Sequence, residues 1–266
     1  MYLEYWGFNR FPFENVPDPG FFYLSKSHEE ALTRLIYAAK MRKGGAMLSG
    51  EIGCGKTTLS KVYVKELSED NYDIGLIINP KLESKEFLQE ILYQFDINDV
   101  PDTKVKCLRA LNDKMLNNMK ANKDTILIVD EAQLLNESTF EEIRLLLNFQ
   151  LNNRFLITII LLGQPELRNK VKSIEQLDQR IAIKYHLTPF NLEETSKYII
   201  FRQSRAGKEE NVFSDEVIEK IYELSDGIPR KINNLCDLSL LIGFSTNEKI
   251  IDSKIVENII SDGALF

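Results

Sequence analysis

The sequence predicts an α/β protein with a P-loop: a parallel five-stranded sheet sandwiched by helices, followed by a small all-helical lid domain. Three observations carry that expectation. A glycine-rich loop, Gly50-Glu51-Ile52-Gly53-Cys54-Gly55-Lys56-Thr57-Thr58, joins a short aliphatic run to a helical pattern. Further aliphatic runs over 74–79, 125–129 and 155–162 alternate with helical periodicity, as buried parallel strands and their crossovers do. From Thr188 onward only helical periodicity remains. The boundaries that follow are 1–187 for the α/β domain and 188–266 for the helical one.

A chain of 266 residues, 44% hydrophobic and 27% charged, can bury one large core and one small one. A formal net charge of −7 opposes whole-surface binding to nucleic acid or anionic lipid, although a local basic groove stays compatible. Cys54, Cys107 and Cys236 show no C-x-x-C pairing, so they read as reduced thiols. The opening MYLEYWGFNR is unlike a signal peptide. The longest apolar run, 155–162, is far short of the roughly 20 residues a membrane helix needs. A cytoplasmic chain with no membrane span is expected.

Residues 1–24 are dense in aromatic rings and broken by Pro12, Pro17 and Pro19. Such a segment should wrap the core, and its end at Tyr23-Leu24 could also help build an adenine pocket. Ser27 reads as an N-cap, with Glu30 completing a capping box, for a helix to Met41. Ala46–Ser49 is the first strand. The loop after it has the spacing G-x-x-x-x-G-K-[ST], and the chemistry explains that spelling. A triphosphate needs a concave row of backbone N–H donors, which glycines at Gly50, Gly53 and Gly55 allow. Glu51, Ile52, Cys54 and Thr58 complete the cradle, Lys56 reaches the β- and γ-phosphates, and the Thr57 hydroxyl holds Mg²⁺. The helix beginning near Thr58 turns its positive end toward the anion. ATP or ADP with Mg²⁺ is the expected ligand.

Helices are expected over 84–95 and 104–119. The strand Thr125–Val129 then presents Asp130 and Glu131 at its carboxyl end. Asp130 is placed to bind Mg²⁺ and Glu131 to orient or deprotonate the attacking water. A helix over 141–150 and a strand over 155–162 lead to Gln164, either a sensor of the γ-phosphate or a turn residue. Arg180 ends a helix before a strand over 183–187. It is either a solvated cap or a guanidinium that reaches a neighbour's active site. Helices over 192–204, 214–225, 230–244 and 253–260 make the second domain, the last capped by Ser253. Arg230, after Gly227-Ile228-Pro229, points back at the γ-phosphate or simply stays solvated. His28 and His186 read as packing or surface residues.

With these residues in view the chain resembles a AAA+ ATPase over nearly its whole length. More narrowly it is similar to the ATPase module of the general secretion pathway protein A group, the ExeA type. The matching phrases are Tyr5-Trp6-Gly7-Phe8, Pro17-Asp18-Pro19, Asp130-Glu131-Ala132-Gln133, Gly163-Gln164-Pro165-Glu166-Leu167, Gln179-Arg180-Ile181 and Gly227-Ile228-Pro229-Arg230. The resemblance implies Walker A at 50–57, Walker B at Asp130 and Glu131, sensor 1 at Gln164, the arginine finger at Arg180 and sensor 2 at Arg230. It implies a Mg²⁺-dependent ATP hydrolase that forms homo-oligomers on binding ATP. It would help assemble a bacterial envelope machine such as a secretin or a pilus, in the cytoplasm or peripherally at the inner membrane. Secretion members of the group carry a transmembrane helix and a peptidoglycan-binding domain after this module, and this chain ends at Phe266. Two rivals stay open. One is a DNA-linked ATPase of the transposition type, disfavoured by scattered lysines and an acidic total. The other is a nucleotide-gated scaffold with little turnover.

Overall fold

The computed structural model describes residues 2–151 and 154–261. The elements are α1 (Tyr2–Trp6), α2 (Lys26–Lys40), β1 (Gly45–Gly50), α3 (Lys56–Glu66), β2 (Tyr72–Ile77), α4 (Ser84–Gln94), α5 (Lys104–Lys120) and β3 (Asp124–Val129). They continue as α6 (Glu137–Leu146), β4 (Gln150–Leu151), β5 (Arg154–Phe155), β6 (Ile157–Gly163), α7 (Glu166–Ser173), α8 (Glu175–Asp178) and β7 (Ile181–Leu187). The chain closes with α9 (Leu192–Arg205), α10 (Asp215–Ser225), α11 (Pro229–Ser245) and α12 (Ser253–Ser261).

The main sheet has the order β2-β3-β6-β1-β7, and every pairing in it is parallel. Its central strands β1 and β6 are buried along their full lengths, while the edge strands β2 and β7 are only partly covered. That contrast explains the sequence: an interior strand faces apolar helices on both sides, so a continuous aliphatic run is required. Because the strands are parallel, Gly50, Asp130 and Gln164 all leave the sheet at its carboxyl edge. The core on one face joins Met47, Leu127, Ile159 and Leu161 to Phe87, Leu88 and Ile91 of α4 and Ile143 of α6.

Contacts divide the chain into two compact units. One holds residues 27–50 and 59–187, the sheet and its helices. The other holds residues 1–26, 51–58 and 188–266, so the helical unit includes the N-terminal segment and the glycine-rich loop. The aromatic N-terminal segment does line a core: Tyr2, Trp6, Phe8, Phe13 and Phe21 are buried with Phe190, Ile232 and Leu240. Trp6 Nε1 donates to the Leu240 carbonyl at 2.9 Å. The buried Arg202 donates to the Pro12 and Glu14 carbonyls at 2.5 and 2.8 Å, and its guanidinium lies over the Phe21 ring. Those bonds satisfy a buried charge and fix the strap in place.

Several boundaries differ from expectation. α2 starts at Lys26, so Ser27 lies within the first turn instead of capping it, and its hydroxyl sits 3.3 Å from that of Tyr185. α6 starts at Glu137 because the Asn136 side chain caps it, accepting from the Thr139 N–H at 2.8 Å. Gln150 and Phe155 belong to a short antiparallel hairpin, and the buried strand β6 begins after it. The α12 cap is Asp252, whose Oδ1 accepts from the Lys254 and Ile255 N–H groups, not Ser253. At α6 and α12 the side chain just before the helix takes orphan N–H donors of the helix start. His28 is a buried packing residue, and His186 is exposed with Nδ1 3.0 Å from Ser49 Oγ.

Candidate nucleotide site

The glycine-rich loop follows β1 and opens α3. Gly53 and Gly55 have φ of +86° and +89°, left-handed values that residues with a Cβ rarely adopt. Lys56 is only 6% exposed, and its Nζ donates to the Glu51 carbonyl at 2.9 Å. The ammonium is thus held on the loop's own backbone, where an anion of higher charge would compete for it. Cys54 is fully buried inside the loop, and burial pushes its thiol up to about 11. A buried thiol held in its protonated form is a poor nucleophile. Glu51 and Ile52 are exposed, while Thr57 and Thr58 are half-buried on the first turn of α3.

The start of α11 packs on this loop. The Arg230 N–H donates to the Gly53 carbonyl at 3.3 Å, and a Cβ on Gly53 would lie 2.6 Å from Arg230 Cβ. Pro229 at the first helical position, preceded by Ile228, sets this entry. Arg230 is exposed and, with Ile52, Leu224, Ile228 and Leu235, lines a cavity of about 330 Å³. Tyr23, in the same unit, packs against Phe190, Tyr198 and Phe201, and Leu24 is exposed.

The sheet unit carries the carboxylates. Asp130 is 2% exposed and its Oδ1 accepts from the Glu131 N–H at 2.9 Å. Glu131 is held in a left-handed conformation, φ +51° and ψ +34°, where the strand breaks into a short 3-10 turn over Ala132–Leu134. Non-glycine residues seldom occupy that region, and such backbone strain gathers at functional sites. Its Oε2 accepts from Gln133 Nε2 at 2.6 Å and from Gln164 Nε2 at 3.4 Å. Glu131 and Gln164, 33 residues apart, therefore meet. Arg180 is placed differently from a free finger: its Nη1 donates to the Leu147 carbonyl at 3.0 Å. Thr57 in the loop and Asp130 in the sheet unit each carry a hard oxygen donor of the kind Mg²⁺ takes alongside phosphate and water.

Sequence reasoning did not single out Gln133. It stands in the Asp130-Glu131-Ala132-Gln133 phrase, but its reach depends on the 3-10 turn, which has no strong sequence signature. Lys170 was also missed; its Nζ donates to the Gln133 and Leu135 carbonyls at 2.6 and 3.2 Å, bracing that turn.

Residues 39–171 match the family described as AAA domain. General secretion pathway protein A of Aeromonas hydrophila is 35% identical over 259 residues, 96% of this chain and 47% of that protein. The chain thus spans about half the length of that curated relative. Among solved structures, the ORC2 protein of Aeropyrum pernix, in ADPNP and ADP complexes, aligns with a TM-score of 0.71 at 18% identity. That alignment covers 96% of this chain and 71% of the other. The ORC1 protein of the same organism, in complex with DNA, aligns at 0.66 with 14% identity, over 95% of this chain and 69% of that one. These structural likenesses establish the fold. Among the described residues no helix is long and apolar enough to cross a membrane.

Proposed function

The chain belongs to the AAA-domain family of P-loop ATP hydrolases, and we propose that it couples Mg²⁺-dependent ATP hydrolysis to self-assembly while a bacterial envelope machine is built. The observation that carries this reading is the phosphate loop. Two left-handed glycines shape a concave backbone, and a buried lysine rests on a carbonyl it can exchange for phosphate. Thr57 and Asp130 would hold Mg²⁺, which when bound neutralises charge on the phosphates. Glu131 takes the proton of the attacking water, and Gln164 orients that water. Arg230, anchored beside Gly53 by its own backbone, reports the nucleotide to the helical unit. Arg180 acts on a neighbouring subunit after leaving the Leu147 carbonyl.

Support for the assembly role is the 35% identity to General secretion pathway protein A over 96% of the chain. A cytoplasmic position, or a peripheral one at the inner membrane, goes with that role. The test is solution mass by light scattering with no nucleotide, with ADP, and with a non-hydrolysable ATP analogue plus Mg²⁺, each repeated with duplex DNA. Oligomers that need the ATP analogue and ignore DNA are expected. Oligomers formed only on DNA would replace this reading with a DNA-linked one, and a monomer throughout would remove the task given to Arg180. Mixing Arg180→Ala with Glu131→Gln subunits should restore activity, since each supplies what the other lacks. No recovery in demonstrated mixed assemblies would sink the trans-acting arginine.

A further inference from the structure

We propose that Gln133 is a positioning residue that ties Glu131 to Gln164 and fixes which carboxylate oxygen receives the proton. The inference rests on the hydrolytic role given to Glu131 above. Gln133 is 8% exposed, and both ends of its amide are engaged: Nε2 donates to Glu131 Oε2 at 2.6 Å, and Oε1 accepts from the Gln164 N–H at 3.0 Å. Chemistry fixes that orientation, because a carboxylate only accepts and a backbone N–H only donates. With Gln164 Nε2 also on Oε2, that oxygen is held, while Glu131 Oε1 makes no hydrogen bond among the described residues. Oε1 is the oxygen left to accept a proton from water.

Two features of the surroundings serve this amide. β6 ends in Gly163, where a Cβ would come within 2.7 Å of Gln133 Oε1 and 2.8 Å of Leu167 Cδ2. The strand end is kept bare where the amide passes over it. Lys170 Nζ holds the Gln133 carbonyl at 2.6 Å, so the backbone that carries the amide is fixed as well. A residue serving only to fill space would need neither the bare strand end nor two directional bonds. The bridge makes one unit of the base and the strand-end amide: movement at Gln164 is transmitted to Glu131 through a side chain that contacts both.

The test compares Gln133→Glu and Gln133→Met with the unsubstituted protein, reading kcat, nucleotide dissociation constant and melting temperature. Glutamate keeps the acceptor for the Gln164 N–H but puts a like charge on Glu131, whereas methionine keeps the volume and loses both bonds. Gln133→Glu should lower kcat about 10- to 100-fold, part of what a general base contributes, with ATP affinity changed less than about twofold. Gln133→Met should fall between it and the unsubstituted protein. Unchanged kcat in Gln133→Glu, or kcat falling only in step with affinity and melting temperature, would overturn the proposal. A second readout needs no turnover. In nucleotide-free protein the pair Glu131→Gln with Gln133→Glu restores an amide-to-carboxylate bond with its ends exchanged. The double variant should melt higher than Gln133→Glu alone while remaining inactive; additive melting shifts would refute the bond. Normal turnover by Glu131→Gln would instead refute the base assignment, and the melting comparison would still decide whether Gln133 holds Glu131.

Discussion

The loop at 51–58 and the carboxylate cluster at 130–164 are built by opposite means. The loop is a backbone object: eight consecutive residues, two left-handed glycines and one lysine, whose function follows from local dihedral angles. The cluster is a side-chain object assembled from the ends of β3 and β6 and the turn after β3, with its key bonds spanning up to 33 residues of sequence. Local geometry is written in a short motif, whereas a side-chain network depends on which strands lie side by side. A contiguous motif announces itself, and a network must be folded to be seen.

Predictions can strain that contrast, beginning with the largest effect. Replacing Glu131 by Gln should reduce hydrolysis by about 10²- to 10⁴-fold, the range of general-base contributions, while ATP binding persists. Single-turnover hydrolysis and calorimetric titration decide it, and parallel loss of both would mean the cluster also shapes the loop's affinity. Lys56→Ala should weaken ATP binding by about 10- to 150-fold, corresponding to about 1.5–3 kcal/mol for hydrogen bonding to a charged group. Unchanged affinity would show that the backbone alone carries the site.

Gly53→Ala tests whether the loop is as local as it looks. The new Cβ meets a left-handed φ of +86° and Arg230 Cβ at 2.6 Å, a cost of about 1–2 kcal/mol from the backbone alone. Melting should fall by about 2–8 °C, at about 2–4 °C per kcal/mol for a chain this size. A larger drop would make the α11 packing, not the dihedral, the dominant constraint. The smallest effect concerns Cys54. Its thiol is raised by burial from the ordinary 9.0 to about 11, so the folded chain holds that proton more tightly than the unfolded one. Between pH 9 and 11 the unfolded state binds fewer protons, and stability should decline as pH rises through that window. Denaturant melts at pH 8, 9 and 10.5 would reveal it, and Cys54→Ala should flatten the decline.

Much of the fold was legible from period and punctuation. The interior strands β1, β3 and β6 were signalled by short apolar runs, because strands covered on both faces admit little else, whereas the edge strand β7 carries Lys184, Tyr185 and His186. Element starts were less legible. Asn136 caps α6, which begins at Glu137 and not at the expected 141, and Asp252, not Ser253, caps α12, since a cap acts before the first buried residue. Within the candidate site, Lys56, Asp130 and Glu131 stand out because phosphate and metal chemistry restrict residue type at fixed spacing. Gln133 does not, since a glutamine after a strand has no obligatory role.

The sequence by itself determined the architecture and the phosphate loop, because hydrophobic period, glycine spacing and strand-end acids act through local geometry. Only the tertiary structure decided how the parts are shared out. It places the loop with the N-terminal segment and helices in one contact unit, and sets Arg230 beside Gly53. It rests Arg180 on the Leu147 carbonyl, and closes Glu131, Gln133 and Gln164 into one network. The reason is physical. Which side chains converge depends on strand order and on turns a few residues long, and neither leaves a periodic trace in the chain.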